Sequence, residues 1–315
     1  MSGIVLAIMG WDPAGWEERF RTRAPQHDIR VWPERVGNPA DVHYACVWNP
    51  PPGALADFPN LRAIFSLSAG VDDVVEDPSL PRVPVVRIVD ADVTMRMTEY
   101  VTLHVLMYHR QQRRYDAQQR VRMWHELDQP AASEVSVGVM GLGTLGSNAA
   151  FMLHRLGFRV VGWSRTPKSM PGIETFHGPV NLDAFLRRTE ILVCLLPATP
   201  STRQILNLQL FTKLKRNGAL GAAYVINVGR GSLQIDADIV TALNDGLLHG
   251  ATLDVFPHEP LPVSSPLWMH QKVTLTPHCA ATCTPEAIMG NVLRQIDRCE
   301  LGLPLEHVVD RLIGY

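Results

Sequence analysis

Apolar residues along this chain gather in short β-branched runs, separated by helix-period stretches and by turns rich in Gly and Pro. Runs at 4–9, 29–31, 44–48, Ala63–Ser66 and 85–89 predict the strands of a first α/β unit, with a helix over 16–23. Pro50, Pro51, Pro52 and Gly53 mark a loop after the third run. Residues 98–124 carry Val101, Val105, Met107 and Tyr108 at helical spacing and then turn polar. They predict one long helix, N-capped by Thr98 and crossing between domains or subunits, with Arg110 to Arg114 as a solvated basic face. Beyond it, strands are expected at 190–196, 224–228, 250–255 and 273–276. Helices are expected over 235–245, stopped by Gly246, and over 285–301. Strands alternating with helices imply largely parallel sheets.

The most informative stretch is 135–166. An apolar run at 135–140 leads into Gly141, Gly143 and Gly146, spaced G-x-G-x-x-G. A helix-period segment with Ala150, Leu153 and Leu156 follows, and then a second β run at 158–163. Strand, glycine turn, helix and strand within about 30 residues form the context that makes this pattern a dinucleotide site. Gly141 allows the tight turn, Gly143 the approach of a pyrophosphate, and Gly146 close packing of helix on strand. The helix N-terminus presents N–H groups and a positive dipole end to phosphate. About 20 residues past the glycines, an NAD site usually places an acidic residue on the ribose 2′-hydroxyl. Here Ser164, Arg165, Thr166 and Lys168 stand there, with no carboxylate before Glu174. A guanidinium beside hydroxyls suits a 2′-phosphate, so NADP(H) is expected over NAD(H).

Composition adds bounds. A chain of 315 residues exceeds the usual span of one core, so two domains are expected. A net charge of −2 offers no basic field for nucleic acid or an acidic membrane. Cys46, Cys194, Cys279, Cys283 and Cys299 form no C-x-x-C pair, and their odd number argues for a reducing compartment. His278, Cys279 and Cys283 lack a second ligand pair, so no metal is expected. The first apolar run has no basic segment before it and reads as a strand, not a signal peptide. No run approaches the length of a membrane span. A cytoplasmic protein follows as the expectation.

In open parallel sheets, reacting groups collect at the carboxyl ends of the strands. Arg230, Asp254, Glu259 and His278 all fall at or just past such ends. The turn Ser68, Ala69, Gly70, Val71 after the fourth strand offers backbone N–H groups to a carboxylate, although an ordinary turn reads equally well.

These ordered segments resemble the D-isomer-specific 2-hydroxyacid dehydrogenase family over nearly the whole chain, and within it the glyoxylate/hydroxypyruvate reductase A group. The matching motifs are GLGTLG, WSRT, INVGRGS around Arg230, LDVFPHEPLP around Glu259 and TPHCAA around His278. The resemblance implies an α/β fold of two Rossmann-like domains with parallel sheets and the active site in the cleft between them. The substrate (catalytic) domain would be 1–99 plus 286–315, and the dinucleotide domain 100–285. It implies reduction of a short 2-oxo acid, with His278 as proton donor, Glu259 polarising that imidazole, and Arg230 clamping the substrate carboxylate. The chemistry agrees: a guanidinium fork matches a carboxylate, and an imidazole donates protons near neutral pH.

The same resemblance places the cofactor against Gly141, Leu142, Gly143, Thr144, Leu145 and Gly146, and against Trp163, Ser164, Arg165, Thr166 and Lys168. Leu196, Pro197, Val228, Gly229, Arg230, Asp254 and His278 complete that set, with Asp254 meeting the nicotinamide amide. Substrate would touch Trp48, Ser68, Ala69, Gly70, Val71, Arg230 and His278, although Trp48 as a core aromatic is a serious rival reading. A homodimer through the nucleotide domain is implied, with Trp124 reaching toward the partner. One departure stands out: KLKRNGALGAAY, upstream of Arg230, looks longer near Gly218 than the family pattern. Formate dehydrogenases share the fold but place Gln where Glu259 stands. Phosphoglycerate dehydrogenases prefer an acidic residue at the 2′-hydroxyl and often carry regulatory domains. A nucleotide-sensing, corepressor-like binding protein or a dehydrogenase for a bulkier acid remains as an alternative.

Overall fold

The apolar runs become two parallel sheets in the computed structural model, which describes residues 2–311, 313 and 314. Met1, Leu312 and Tyr315 of the expected first domain lie outside the described residues. The chain divides into two compact units, Met1–Ala91 with Cys283–Tyr315, and Asp92–Thr282. The joins at 91/92 and 282/283 fall eight and three residues ahead of the expected 99/100 and 285/286.

The first unit runs β1 (Gly3–Ile8), α1 (Pro13–Arg23), β2 (Asp28–Val31), β3 (Val42–Trp48), β4 (Ala63–Ser66), α2 (Asp72–Val75) and β5 (Val85–Val86). Its sheet has the order β2-β1-β3-β4-β5, every pair parallel. Both faces are covered, because alternate residues of β1 enter different cores. Ile4, Leu6 and Ile8 belong to one, Val5 and Ala7 to the other. Asp12 caps α1 by accepting from the N–H groups of Ala14 and Gly15, and Pro13 opens the helix. The run at 85–89 pairs only at its start. Arg87 N–H turns to His307 and Ile88 N–H to Ser68.

The second unit runs α3 (Ala91–His109), α4 (Gln112–Arg120), β6 (Ser136–Met140), α5 (Thr144–Arg155), β7 (Arg159–Ser164), β8 (Glu174–His177), α6 (Leu182–Leu186), β9 (Ile191–Cys194), α7 (Leu208–Thr212), β10 (Tyr224–Asn227), α8 (Asp236–Asn244), β11 (Gly250–Leu253) and β12 (Val273–Leu275). Its parallel sheet has the order β12-β11-β10-β9-β6-β7-β8. From β6 the chain steps outward to β7 and β8, then returns to β9 on the other side. The turn after β6 therefore sits at the point where strand order reverses. The last helix, α9 (Pro285–Glu300), belongs to the first unit. It is capped by Thr284, and its Ile288, Met289, Val292 and Ile296 pack into the core of Ile4, Leu6 and Ile8. Among the described residues no helix is long and apolar enough to cross a membrane.

The expected helix over 98–124 is two helices. The first starts at Ala91, so Thr98 lies inside it, buried, with its hydroxyl donating to the carbonyl of Thr94. Gln111 then takes a left-handed conformation (φ 54°) and breaks the helix, and Arg122 (φ 54°) closes off the second. Within the basic run Arg110 and Arg114 are exposed, but Arg113 is half-buried and bonds the Thr274 hydroxyl and the Gln271 carbonyl. Tyr108 of α3 shares a fully buried 2.8 Å hydrogen bond with Thr252 of β11. Tyr108→Phe is expected to cost about 1 kcal/mol, because it leaves Thr252 without that partner. Denaturant unfolding of the variant checks this.

The long segment near Gly218 wraps a buried carboxylate. Glu190, fully buried, accepts from Ser136 N–H (3.0 Å), Ser136 Oγ (2.9 Å) and Leu220 N–H (3.0 Å). Gly218 lies so close that a Cβ there would stand 2.1 Å from Glu190 Oε1. Residues 218–220 thus close over Glu190, and β10 pairs with β9 in register, Tyr224 opposite Ile191.

Candidate active site

Hydrogen bonds between strand ends lay out one edge of the second sheet. Gly141 N–H reaches Trp163 O, Leu195 N–H reaches Met140 O, Val228 N–H reaches Cys194 O, Asp254 N–H reaches Asn227 O, and Thr276 N–H reaches Leu253 O. The segments that follow β6, β9, β10, β11 and β12 therefore leave the sheet side by side at its carboxyl edge.

The glycine turn fits a dinucleotide. Gly141 has φ +102°, and a Cβ there would meet Leu195 O at 2.6 Å. Around Gly143 a Cβ would find nothing within 4 Å, which leaves the face of the turn open to a ligand. At Gly146 a Cβ would lie 1.8 Å from Gly141 O, so the helix can seat itself on the turn only through glycine. No side chain caps α5 at Gly143, and Thr144 is exposed, so the N-terminal N–H groups of the helix face outward. Leu142 packs inward against Gly162, and Leu145 is half-buried against the same core.

At the end of β7, strand alternation sends Trp163 and Ser164 different ways. Trp163 is buried with Phe185 and Leu186, and its indole donates to Gly178 O. Ser164 Oγ donates to Thr166 O (2.8 Å), which folds the following segment back. Arg165, Thr166 and Lys168 are exposed beyond it, while Glu174 is paired with Arg188. Leu196 is buried, and Thr202 staples its loop by donating to Pro197 O and accepting from Thr199 N–H.

Arg230 follows β10 in extended conformation. Its backbone is held by Asn227, a fully buried residue that sequence reasoning passed over. The Asn227 carboxamide accepts from Gly229 N–H and donates to Arg230 O and to Gln234 Oε1. A polar residue ending an otherwise apolar strand was the available signal. Arg230 itself donates to Gly229 O, and Val228 is buried in the core of the unit.

His278 and Glu259 meet. The imidazole Nδ1 lies 2.8 Å from Glu259 Oε2, and Glu259 Oε1 accepts from Phe256 N–H at 2.8 Å. Burial alone would raise the Glu259 pKa. The bonds from His278 and Phe256 and the charges of His278 and Arg230 outweigh it and hold the carboxyl below its ordinary 4.5. An ionised carboxylate only accepts, so Nδ1 carries the proton of this bond and Nε2 is left for a reactant. Because the folded-state value is depressed, the stabilisation from ionised Glu259 is present above pH 4.5 and is lost only as pH falls through the lower value. Carboxyl NMR titration of Glu259 is expected to give a midpoint below 4.5. A midpoint at or above it would contradict the pairing.

Asp254, 1% exposed, turns both oxygens to the loop that carries His278. Oδ1 accepts from Thr276 Oγ1 (2.6 Å) and Cys279 N–H (2.9 Å), and Oδ2 from Ala280 N–H (3.0 Å). In the first unit, Trp48 at the end of β3 stacks on Trp11 with centroids 3.8 Å apart. In the turn after β4, the hydroxyls of Ser66 and Ser68 both donate to Gly70 O. Ala69 and Gly70 are half-buried and Val71 is buried.

Comparison with known proteins gives three concordant findings. A family model described as D-isomer specific 2-hydroxyacid dehydrogenase, NAD binding domain, matches residues 102–280. Glyoxylate/hydroxypyruvate reductase A of Yersinia enterocolitica is 40% identical over 306 residues, covering 95% of this chain and 96% of that protein. Among solved structures, the chain is similar to a probable 2-hydroxyacid dehydrogenase from Rhizobium etli in complex with NADP, HEPES and L(+)-tartaric acid (TM-score 0.95, 44% identity, 100% of each chain covered). It is also similar to an NADPH-dependent glyoxylate/hydroxypyruvate reductase from Sinorhizobium meliloti in complex with NADP and sulfate (TM-score 0.93, 43% identity, 100% of each chain covered).

Proposed function

The chain belongs to the D-isomer-specific 2-hydroxyacid dehydrogenases, and from that premise we propose that it reduces a short 2-oxo acid, glyoxylate or hydroxypyruvate, to the D-2-hydroxy acid with NADPH. The observation that carries this reading is the His278–Glu259 pair, with Arg230 near enough to help hold Glu259 ionised, at the carboxyl edge that also bears the glycine turn. When bound, the nicotinamide supplies the hydride. The turn Gly141 to Gly146 and the N-terminus of α5 would hold its pyrophosphate, and Arg165, Thr166 and Lys168 the 2′-phosphate. NADP in the two similar structures supports the preference for NADP(H) over NAD(H).

Arg230 pairs with the substrate carboxylate and orients the carbonyl. Nε2 of protonated His278 gives its proton to the carbonyl oxygen as negative charge develops there. Glu259 keeps the ring in one orientation and balances the imidazolium before the proton leaves. A homodimer belongs to the same reading. Leu103, Val121, Met123 and a fully exposed Trp124 leave apolar surface around α3, α4 and the segment after them.

Mixing the purified protein with NADPH and then glyoxylate or hydroxypyruvate, while following dihydronicotinamide absorbance, tests the activity. Oxidation is expected with both acids, and with a lower KM for NADPH than for NADH. No turnover with any short 2-oxo acid would overturn the reading, and a preference for NADH would overturn the cofactor assignment.

A further inference from the structure

The His278 turn is strained and held from outside. His278 adopts φ 50°, a left-handed conformation that a residue with a Cβ enters only at a cost. Its N–H is tied to the carbonyls of Asp254 (2.8 Å) and Thr276 (3.1 Å). The two residues after it hang from the Asp254 carboxylate through their N–H groups. What keeps Asp254 itself in place reaches back to α3. Tyr100 Oη lies 2.6 Å from Thr276 Oγ1, and Thr276 Oγ1 lies 2.6 Å from Asp254 Oδ1.

The direction of this chain follows from what each group can do. A carboxylate only accepts, so the Thr276 proton goes to Asp254. The remaining capacity of Thr276 is as acceptor, so Tyr100 must be the donor. Burial raises the Tyr100 pKa, which keeps the phenol protonated and able to donate. The ring of His104 packs 4.3 Å from that of Tyr100, and burial lowers the His104 pKa, which favours a neutral imidazole. Each bond polarises the next in such a buried series. The same helix pair is fastened to β11 and β12 elsewhere, by Tyr108 on Thr252 and by Arg113 on Thr274. Tyr100 therefore hangs from a fixed support.

We propose that Tyr100 and Thr276 are positioning residues for the proton donor: the series Tyr100–Thr276–Asp254 holds the strained turn that aims His278. The inference rests on the proton-donor reading of His278. It assigns a role in turnover to α3, a helix otherwise occupied with packing. A proton donor displaced by a fraction of an ångström loses more in rate than in substrate affinity.

The test compares kcat, KM, NADPH affinity and thermal unfolding in Tyr100→Phe, Thr276→Val, Thr276→Ser and the Tyr100→Phe/Thr276→Val double variant. Thr276→Val, of similar shape but without the hydroxyl, is expected to lower kcat by about tenfold, and Tyr100→Phe by about threefold. NADPH affinity should change far less than kcat in both. Thr276→Ser restores the hydroxyl and should restore kcat. The double variant should match Thr276→Val alone, since both changes cut one series. Wild-type kcat in Tyr100→Phe, or a kcat loss that only follows lost NADPH affinity or lost folding, overturns the inference. A parallel His278→Ala variant separates the layers. If it keeps wild-type turnover, the proton-donor reading falls and this inference falls with it. If it is inactive while Tyr100→Phe turns over normally, only the positioning role falls.

Discussion

His278→Ala is expected to lower kcat by about 10²–10⁴-fold, the range over which a positioned general acid contributes. The loss should fall on kcat rather than on KM, because the imidazole meets the carbonyl oxygen most strongly as charge develops on it. Geometry sets this expectation apart from that for a histidine that merely follows a strand. The ring is bonded through Nδ1 to a carboxylate held below its ordinary pKa, and its backbone is bent into a left-handed turn. NADPH binding should weaken far less than turnover, since the glycine turn that would hold the pyrophosphate lies on another strand. Steady-state kinetics with glyoxylate, together with a fluorescence titration of NADPH, checks both halves. A variant with near-normal kcat would remove His278 from the chemistry.

How much of this was legible beforehand depended on whether the signal was local. The glycine turn is local: three glycines between two apolar runs state its geometry, and the strand-end positions of Arg230 and His278 follow from a parallel sheet. The two helices replacing 98–124 were not legible. Their break comes from Gln111 taking φ 54°, with no Gly or Pro to announce it. The edge strand β8 was missed because Glu174–His177 is polar and partly exposed, without the apolar run that marks inner strands. Asn227 and Thr276 gain their roles only when strand ends distant in sequence become neighbours. Asp254 is legible as a strand-end carboxylate, but the three donors from the β12 loop that surround it are not, because they come from a segment more than twenty residues away.

Gly146→Val is expected to abolish NADPH binding over the accessible concentration range and to destabilise the second unit. Even a Cβ at this position would sit 1.8 Å from Gly141 O, a distance no rotamer change can relieve because the backbone fixes the Cβ and its neighbour is a backbone oxygen. Either α5 moves away from β6 or the turn is pushed outward. Each outcome spoils the alignment of the α5 N–H groups that a pyrophosphate needs. Gly143 provides the internal control. A Cβ there meets no protein atom within 4 Å, so Gly143→Ala should fold with an unchanged unfolding midpoint while still weakening NADPH, because the added methyl would stand on the open face of the turn that a pyrophosphate approaches. Binding lost with stability at 146, and binding lost without stability at 143, is the expected pair of results from calorimetry and fluorescence titration. Full NADPH affinity in both variants would place the dinucleotide elsewhere.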